Sequence, residues 1–277
     1  MTVAGADGAQ GGRAAAEAPI GVFDSGIGGL SILRALRREL PHEDFIYFAD
    51  TANAPYGERD GDFVLERAER ITQDLIEHLG IKLLVVACNT ATAAAIQALR
   101  AHWPQCPIVG VEPALKPAAA TSRTRRVGVL ATRGTLRSEK FEQLRATLQG
   151  ATDFVLQPCD GLAAAIEAGD ALLTARLCER YVSALGPLGD QAGQIDTLVL
   201  GCTHYAFAMD DFVRQVGPKV RVLETGEPVA RRTRQVLQQA QRLRLAPHVG
   251  RITLQSSGDL QTLQAAAKRW LDGPRVA

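Results

Sequence analysis

Short apolar runs alternate with longer stretches of helical spacing along most of this chain. "IGVF" (Ile20 to Phe23) precedes a glycine-rich turn and a predicted helix from about Gly28 to Leu40. "DFIYFAD" follows, then the polar loop "TANAPYGERDGD". Val64, Leu65, Ala68, Ile71, Leu75, Ile76 and Leu79 recur on one face at helical spacing. Leu83 to Ala87 predicts a third strand, with a helix after it through about Leu99. Strands and helices alternating in this order predict parallel sheets covered by helices on both faces.

The pattern restarts after "PIVGVEPALKPAAATSRTRR", where prolines and basic residues interrupt it. "RVGVLATRGTL" (Arg126 to Leu136) repeats the outline of "IGVFDSGIGGL": strand, then Ser or Thr, then glycine, then helix. Gly21 and Gly128 are 107 positions apart. Two further apolar runs, in "LLVVACNTATAA" and "TLVLGCTHYAF", each end in a cysteine, and Cys88 and Cys202 are 114 apart. Similar offsets predict an α/β protein of two similar domains with approximate internal symmetry and mostly parallel sheets. The expected division is a disordered leader over 1–19, a first domain of 20–115 with 226–277, and a second of 116–225. The run "VRVLETGEPVARRTRQVLQQ" is expected to return to the first domain, because "GRITLQS" and the helix after Asp259 are too small to stand alone.

That architecture locates a candidate cleft between the two domains. Parallel α/β sheets bind ligands outside the carboxyl ends of their strands. Asp24, Ser25, Cys88, Thr132 and Cys202 all fall at predicted carboxyl ends. Asn89 and Thr90 stand where a helix begins, so backbone N–H groups and a positive dipole end could hold a carboxylate there.

Composition narrows the chemistry. With 277 residues, 46% of them hydrophobic, the chain can bury a large core. Its 31 Lys and Arg nearly balance 30 Asp and Glu, so no basic field draws it to nucleic acid or an anionic membrane. A small neutral or zwitterionic ligand fits better. No apolar run approaches the roughly 20 residues of a membrane span. "MTVAGADGAQGGRAAAEAP" lacks the apolar centre of a secretory signal. Five cysteines without an export signal predict reduced thiols and a cytoplasmic protein.

Singly, each residue has a structural reading. A Cys ending a strand is usually a small buried apolar residue. Asp24 and Ser25 could cap a helix, Tyr56 could serve a turn, His204 could fill a hydrogen-bonded core position, and Glu167 could be a helix-end charge. Cys106 and Cys178, without a strand-end context, are expected to be structural. Two cysteines in matched contexts favour chemistry.

Together the segments "VFDSGIGGLSILRAL", "FADTANAPYGERD", "VVACNTATA", "VGVLATRGT", "IEAGD", "LVLGCTHY" and "ETGEPVARR" resemble the cofactor-independent glutamate racemases of the aspartate/glutamate racemase family. The resemblance runs from about residue 20 to residue 235, in the family order. It implies that Cys88 and Cys202 are acid/base thiols on opposite faces of the substrate α-carbon, assisted by Asp24, His204 and Glu167. It also implies that Asp24, Ser25, Tyr56, Gly57, Asn89, Thr90, Thr203 and His204 hold the amino acid's charged groups. Three departures stand out: Ala206 where the family has proline, Cys159-Asp160 in place of cysteine-proline, and "ETGE" at Glu224 to Glu227 for "DSGE".

The chemistry agrees. Inverting an amino acid removes the α-proton on one face and replaces it on the other, so one thiolate and one thiol are needed at the start of each direction. A free thiol, with a pKa of about 8.5, is only slightly ionised at neutral pH, and His204 near Cys202 and Asp24 near Cys88 could correct that. No cofactor is expected. Pyridoxal phosphate needs a well-placed lysine, whereas Lys82 lies at the wrong end of its strand and Lys116, Lys140, Lys219 and Lys268 lack a strand-end context. The expected function is interconversion of L- and D-glutamate for peptidoglycan synthesis. The expected partner is glutamate itself, with no nucleic acid or membrane and a possible homodimer. Alternatives are an aspartate or hydantoin racemase of the same fold, a zinc enzyme using Cys88, Cys202 and His204, and an amino-acid binding protein without catalysis.

Overall fold

The computed structural model describes residues 16–148, 150 and 152–271. Most of the expected leader falls outside them, and of its last four residues Ala16 and Pro19 are hydrogen-bonded to the body. Lys82 donates its backbone N–H to the Pro19 carbonyl at 2.9 Å and its Nζ to the Ala16 carbonyl at 2.5 Å.

Among the described residues nine strands form two sheets. The first contains β1 (Ile20–Asp24), β2 (Phe45–Ala49), β3 (Leu83–Val86), β4 (Ile108–Gly110) and β9 (Ile252–Ser256), in the order β4-β3-β1-β2-β9. The second contains β5 (Arg126–Ala131), β6 (Asp153–Pro158), β7 (Thr197–Leu200) and β8 (Arg221–Leu223), in the order β6-β5-β7-β8. Every pairing between them is parallel. The α/β class expected from the alternating pattern is the observed one. β1, β3 and β7 are buried along their whole length, which is why they read as unbroken apolar runs.

The internal repeat is visible in the topology. The order β2-β1-β3-β4 matches β6-β5-β7-β8, with β9 added beside β2. Gly21 in β1 pairs with Leu84 in β3, and Gly128 in β5 pairs with Leu198 in β7. Cys88 and Cys202 each lie four residues past those partners. The two cysteines therefore occupy the same register position in two like sheets.

Helices cover both faces of each sheet. On the first, helices Leu30–Glu39, Gly226–Gln239 and Leu260–Leu271 pack on one face, and helices Gly61–Gln73 and Asn89–His102 on the other. The apolar stripe expected from Val64 to Leu79 is carried by helix Gly61–Gln73 and a π turn, Asp74–His78, that continues it. β8 pairs with β7, so the returning run stays with the second sheet as far as Leu223. Helix Gly226–Gln239 then crosses over and buries Val229, Ala230 and Leu237 in the first core. Cys106 and Cys178 are buried core residues. Lys82 forms a buried ion pair with Glu43, Nζ to Oε2 2.5 Å, near the amino end of β3. Among the described residues no helix is long and apolar enough to cross a membrane.

Candidate active site

The carboxyl ends of the two sheets face each other, and the candidate groups meet there. Cys88 caps helix Asn89–His102: its Sγ accepts from Ala91 N–H at 3.4 Å and donates to Ser25 Oγ at 3.7 Å. Cys202 precedes a 3-10 stretch, Thr203–Ala208, and its Sγ lies 3.8 Å from His204 Nδ1. Asp24 ends β1, and its Oδ2 accepts from Gly26 N–H at 3.0 Å. Asp24 is 0%, Ser25 3%, His204 4%, Cys88 6% and Cys202 9% exposed. All five groups are buried.

Glu167 ties the halves together. It is the last residue of helix Leu162–Glu167, as its pattern suggested, but it is no surface charge. Its Oε2 lies 2.5 Å from His204 Nε2, and both carboxylate oxygens accept from Ile27 N–H at 3.1 Å. Burial opposes charge on both side chains, but their mutual hydrogen bond outweighs it. With the further bond to Cys202, His204 is held well above the ordinary imidazole value, and Glu167 below the ordinary carboxylate value. Protonated His204 can thus donate from Nε2 to Glu167 and from Nδ1 to the Cys202 sulfur.

The Cys88 side has the opposite electrostatics. Burial and then the negative Asp24 push the Cys88 thiol up to about 12. Burial lifts Asp24 itself from an ordinary 3.8 to about 6, although His204 pulls the other way. A carboxyl that titrates near neutrality is matched to proton transfer. It also destabilises the fold: a carboxyl whose folded pKa is raised favours the folded state only while protonated. The penalty opens as pH rises through about 4 and is complete above about 6, reaching roughly 3 kcal/mol. Asp24→Asn is therefore expected to lose activity yet melt higher than the parent at pH 8, with little difference at pH 4. A gap in melting temperature that shrinks between pH 4 and pH 8 would contradict this.

Polar groups from both halves complete the enclosure. Thr90 Oγ1 is 3.0 Å from Thr132 Oγ1, which is 3.0 Å from Thr135 Oγ1, a chain of buried hydroxyls across the interface. Gly57 packs so tightly on Thr132 that a Cβ there would stand 2.7 Å from its Cγ2. Thr203 is buried, and its carbonyl accepts from Ser31 Oγ at 3.1 Å. Among the described residues, Asp24 Oδ1 and both polar atoms of the Asn89 amide are buried without a hydrogen-bond partner. The hydroxyl of Tyr56, expected to help hold substrate, donates to Asp50 Oδ2 at 2.5 Å. Arg67 binds the same carboxylate through two bonds, of 2.9 and 2.8 Å. The Asp50 cluster holds the loop that brings Gly57 to Thr132.

Among the described residues no three His, Cys, Asp or Glu side chains are grouped to hold a metal ion. Cys88 is engaged with Ser25 and Cys202 with His204. All five cysteines are free thiols.

Several contributors gave no sequence signal of their role. The glycines of "DSGIGG" are small because of what approaches them: a Cβ on Gly26 would stand 2.6 Å from Glu167 Oε1, and one on Gly28 2.6 Å from His204 Cε1. Fully buried Tyr47 donates to the Gly26 carbonyl at 2.7 Å, fixing the same turn. The glycine spacing was legible, but Glu167 and His204, which approach it, lie more than 140 positions away.

The sequence profile of the Asp/Glu/Hydantoin racemase family matches residues 20–233. A glutamate racemase of Pseudomonas paraeruginosa is 50% identical over 226 residues, covering 81% of this chain and 83% of that protein. The fold is similar to that of Thermus thermophilus glutamate racemase in complex with β-chloro-D-alanine, with a TM-score of 0.76, 33% identity and coverage of 94% of this chain and 95% of that one. It is also similar to Francisella tularensis glutamate racemase in complex with D-glutamate, with a TM-score of 0.79, 25% identity and coverage of 93% and 94%. Two parallel sheets, two thiols in one register and a match over most of the chain agree: this protein belongs to the Asp/Glu/Hydantoin racemase family.

Proposed function

We propose that this chain is a glutamate racemase that interconverts L- and D-glutamate by a two-thiol mechanism. The supporting observation is the pair Cys88 and Cys202, each four residues past matched positions in like sheets that face each other across a closed site. The names of its relatives support glutamate as the substrate.

From L-glutamate, Cys202 takes the α-proton as His204 and Glu167 steady the charge. Cys88, held protonated by burial and Asp24, returns a proton on the opposite face. From D-glutamate the roles reverse. The unpartnered Asp24 Oδ1 suits the substrate ammonium, and the Asn89 amide at a helix N-terminus suits a carboxylate. Neutralising that carboxylate in a water-free enclosure lowers the barrier to the carbanion by several kcal/mol. The product is a precursor for peptidoglycan, made in the cytoplasm.

Circular dichroism of L-glutamate with purified protein, in metal-free buffer without pyridoxal phosphate, tests this reading. The signal of the amino acid is expected to decay to zero and to do so equally after exhaustive chelation. Decay with L-aspartate but not L-glutamate would favour the aspartate alternative. Loss on chelation with rescue by zinc would overturn the cofactor-free mechanism.

A further inference from the structure

The family match ends at residue 233, yet a helix beyond it reaches the catalytic turn. Helix Leu260–Leu271 turns Leu263, Ala267, Trp270 and Leu271 toward the first core, a single stripe at helical spacing. The Trp270 ring stacks on Phe207 with centroids 4.2 Å apart and planes 20° apart. Phe207 belongs to the 3-10 stretch Thr203–Ala208, three residues after His204, and packs against cores of both halves.

That stretch depends on its side-chain anchors. A 3-10 turn has poorer hydrogen-bond geometry than an α-helix. Cys202 gives it no side-chain cap, and Ala206 adds no ring to fix its backbone as a proline would. Toward the second sheet it is anchored by Tyr205, whose hydroxyl donates to the Cys159 carbonyl at 3.4 Å and whose ring lies 6.2 Å from Phe212. Toward the first sheet the anchors are the Ser31 bond to Thr203 and the Phe207 stack on Trp270. Cys88 rides on a different support, a fourteen-residue helix on the opposite face of the first sheet.

We propose that Trp270 is a positioning residue for the Cys202 and His204 pair, holding their turn through Phe207, so that the C-terminal helix is part of the machinery of one thiol and not of the other. This rests on Cys202 being one of the two acid/base thiols.

Racemisation cannot reveal such one-sidedness, because its two directions are bound by one equilibrium constant. Irreversible elimination can. With β-chloroglutamate, a thiolate takes the α-proton, the C–H electron pair forms the Cα=Cβ bond, and chloride leaves with its bonding pair. Water then hydrolyses the enamine to 2-oxoglutarate and ammonium. Cys202→Ala and Cys88→Ala, run in parallel, establish which α-configuration each thiol serves.

Trp270→Ala is expected to slow elimination from the Cys202-served enantiomer about tenfold or more and to leave the other within about twofold, because small misplacements weaken proton transfer steeply. Trp270→Phe, which keeps a stacking ring, is expected to restore it. Should Trp270→Ala fail to fold, Trp270→Leu keeps the bulk without the stack and carries the same expectation. Equal slowing of both enantiomers, or of neither, overturns the proposal. If Cys202→Ala shows no enantiomer preference, the thiol assignment itself has failed and the proposal falls with it.

Discussion

Cys88→Ala and Cys202→Ala are each expected to lose racemisation by about three orders of magnitude or more, because one half of every proton exchange is then missing. Neither variant should lose its fold. Both side chains are small and at the rim of their cores, and the melting temperature reports any exception. The informative part is what survives. The proposed mechanism gives the α-proton of D-glutamate to Cys88 and that of L-glutamate to Cys202. Cys88→Ala should therefore keep elimination from the L-configured β-chloro substrate, and Cys202→Ala from the D-configured one. Loss of the same enantiomer in both variants contradicts opposite-face placement, as does wild-type racemisation in either.

Gly28→Ala is the second substitution with a large expected effect. The added methyl would stand 2.6 Å from Cε1 of His204, a ring already fixed between Cys202 and Glu167. If the imidazole shifts, its bonds to Cys202 and Glu167 are disturbed; if the turn opens, the Glu167 link to Ile27 is disturbed. Turnover is expected to fall about a hundredfold, as for other displacements of roughly an ångström at a catalytic group. Gly61→Ala is the natural contrast. It begins helix Gly61–Gln73, a Cβ there meets nothing within 4 Å, and the change should stabilise the protein by up to about 1 kcal/mol with activity intact. Steady-state kinetics and thermal melts of the two variants check both directions. Near-normal activity in Gly28→Ala would show that His204 is less constrained than the packing indicates.

The alternation of elements and the two matched cysteines were legible because parallel strands are buried on both faces and announce themselves as short apolar runs. The offsets of 107 and 114 differ, yet the strand register makes Gly21 with Cys88 and Gly128 with Cys202 equivalent. Less legible was everything that depends on how the halves meet. Nothing local in "IEAGD" points to the N–H of Ile27, nor does "FIYFA" show that the Tyr47 hydroxyl anchors Gly26. Tyr56 was expected to touch substrate by resemblance, and nothing local showed that its hydroxyl donates to Asp50, the carboxylate that Arg67 also binds. A helical pattern likewise gives the apolar stripe of helix Leu260–Leu271 without naming Phe207 as its partner. Ala16 to Pro19 read as leader by composition, which does not show the bonds that the Lys82 ammonium and backbone N–H donate to the Ala16 and Pro19 carbonyls.

The central claim is that two different groups exchange the proton on opposite faces, and its most direct measurement is deuterium content after brief reaction of L-glutamate in D₂O. The donating thiol equilibrates with solvent before substrate arrives, while the abstracted proton stays on the other sulfur. In the first few per cent of conversion, D-glutamate is expected to carry deuterium at the α-carbon in nearly every molecule, with the remaining L-glutamate still protiated. Protium retained in the D-glutamate, or deuterium entering L-glutamate as fast as D-glutamate forms, would contradict the two-thiol account.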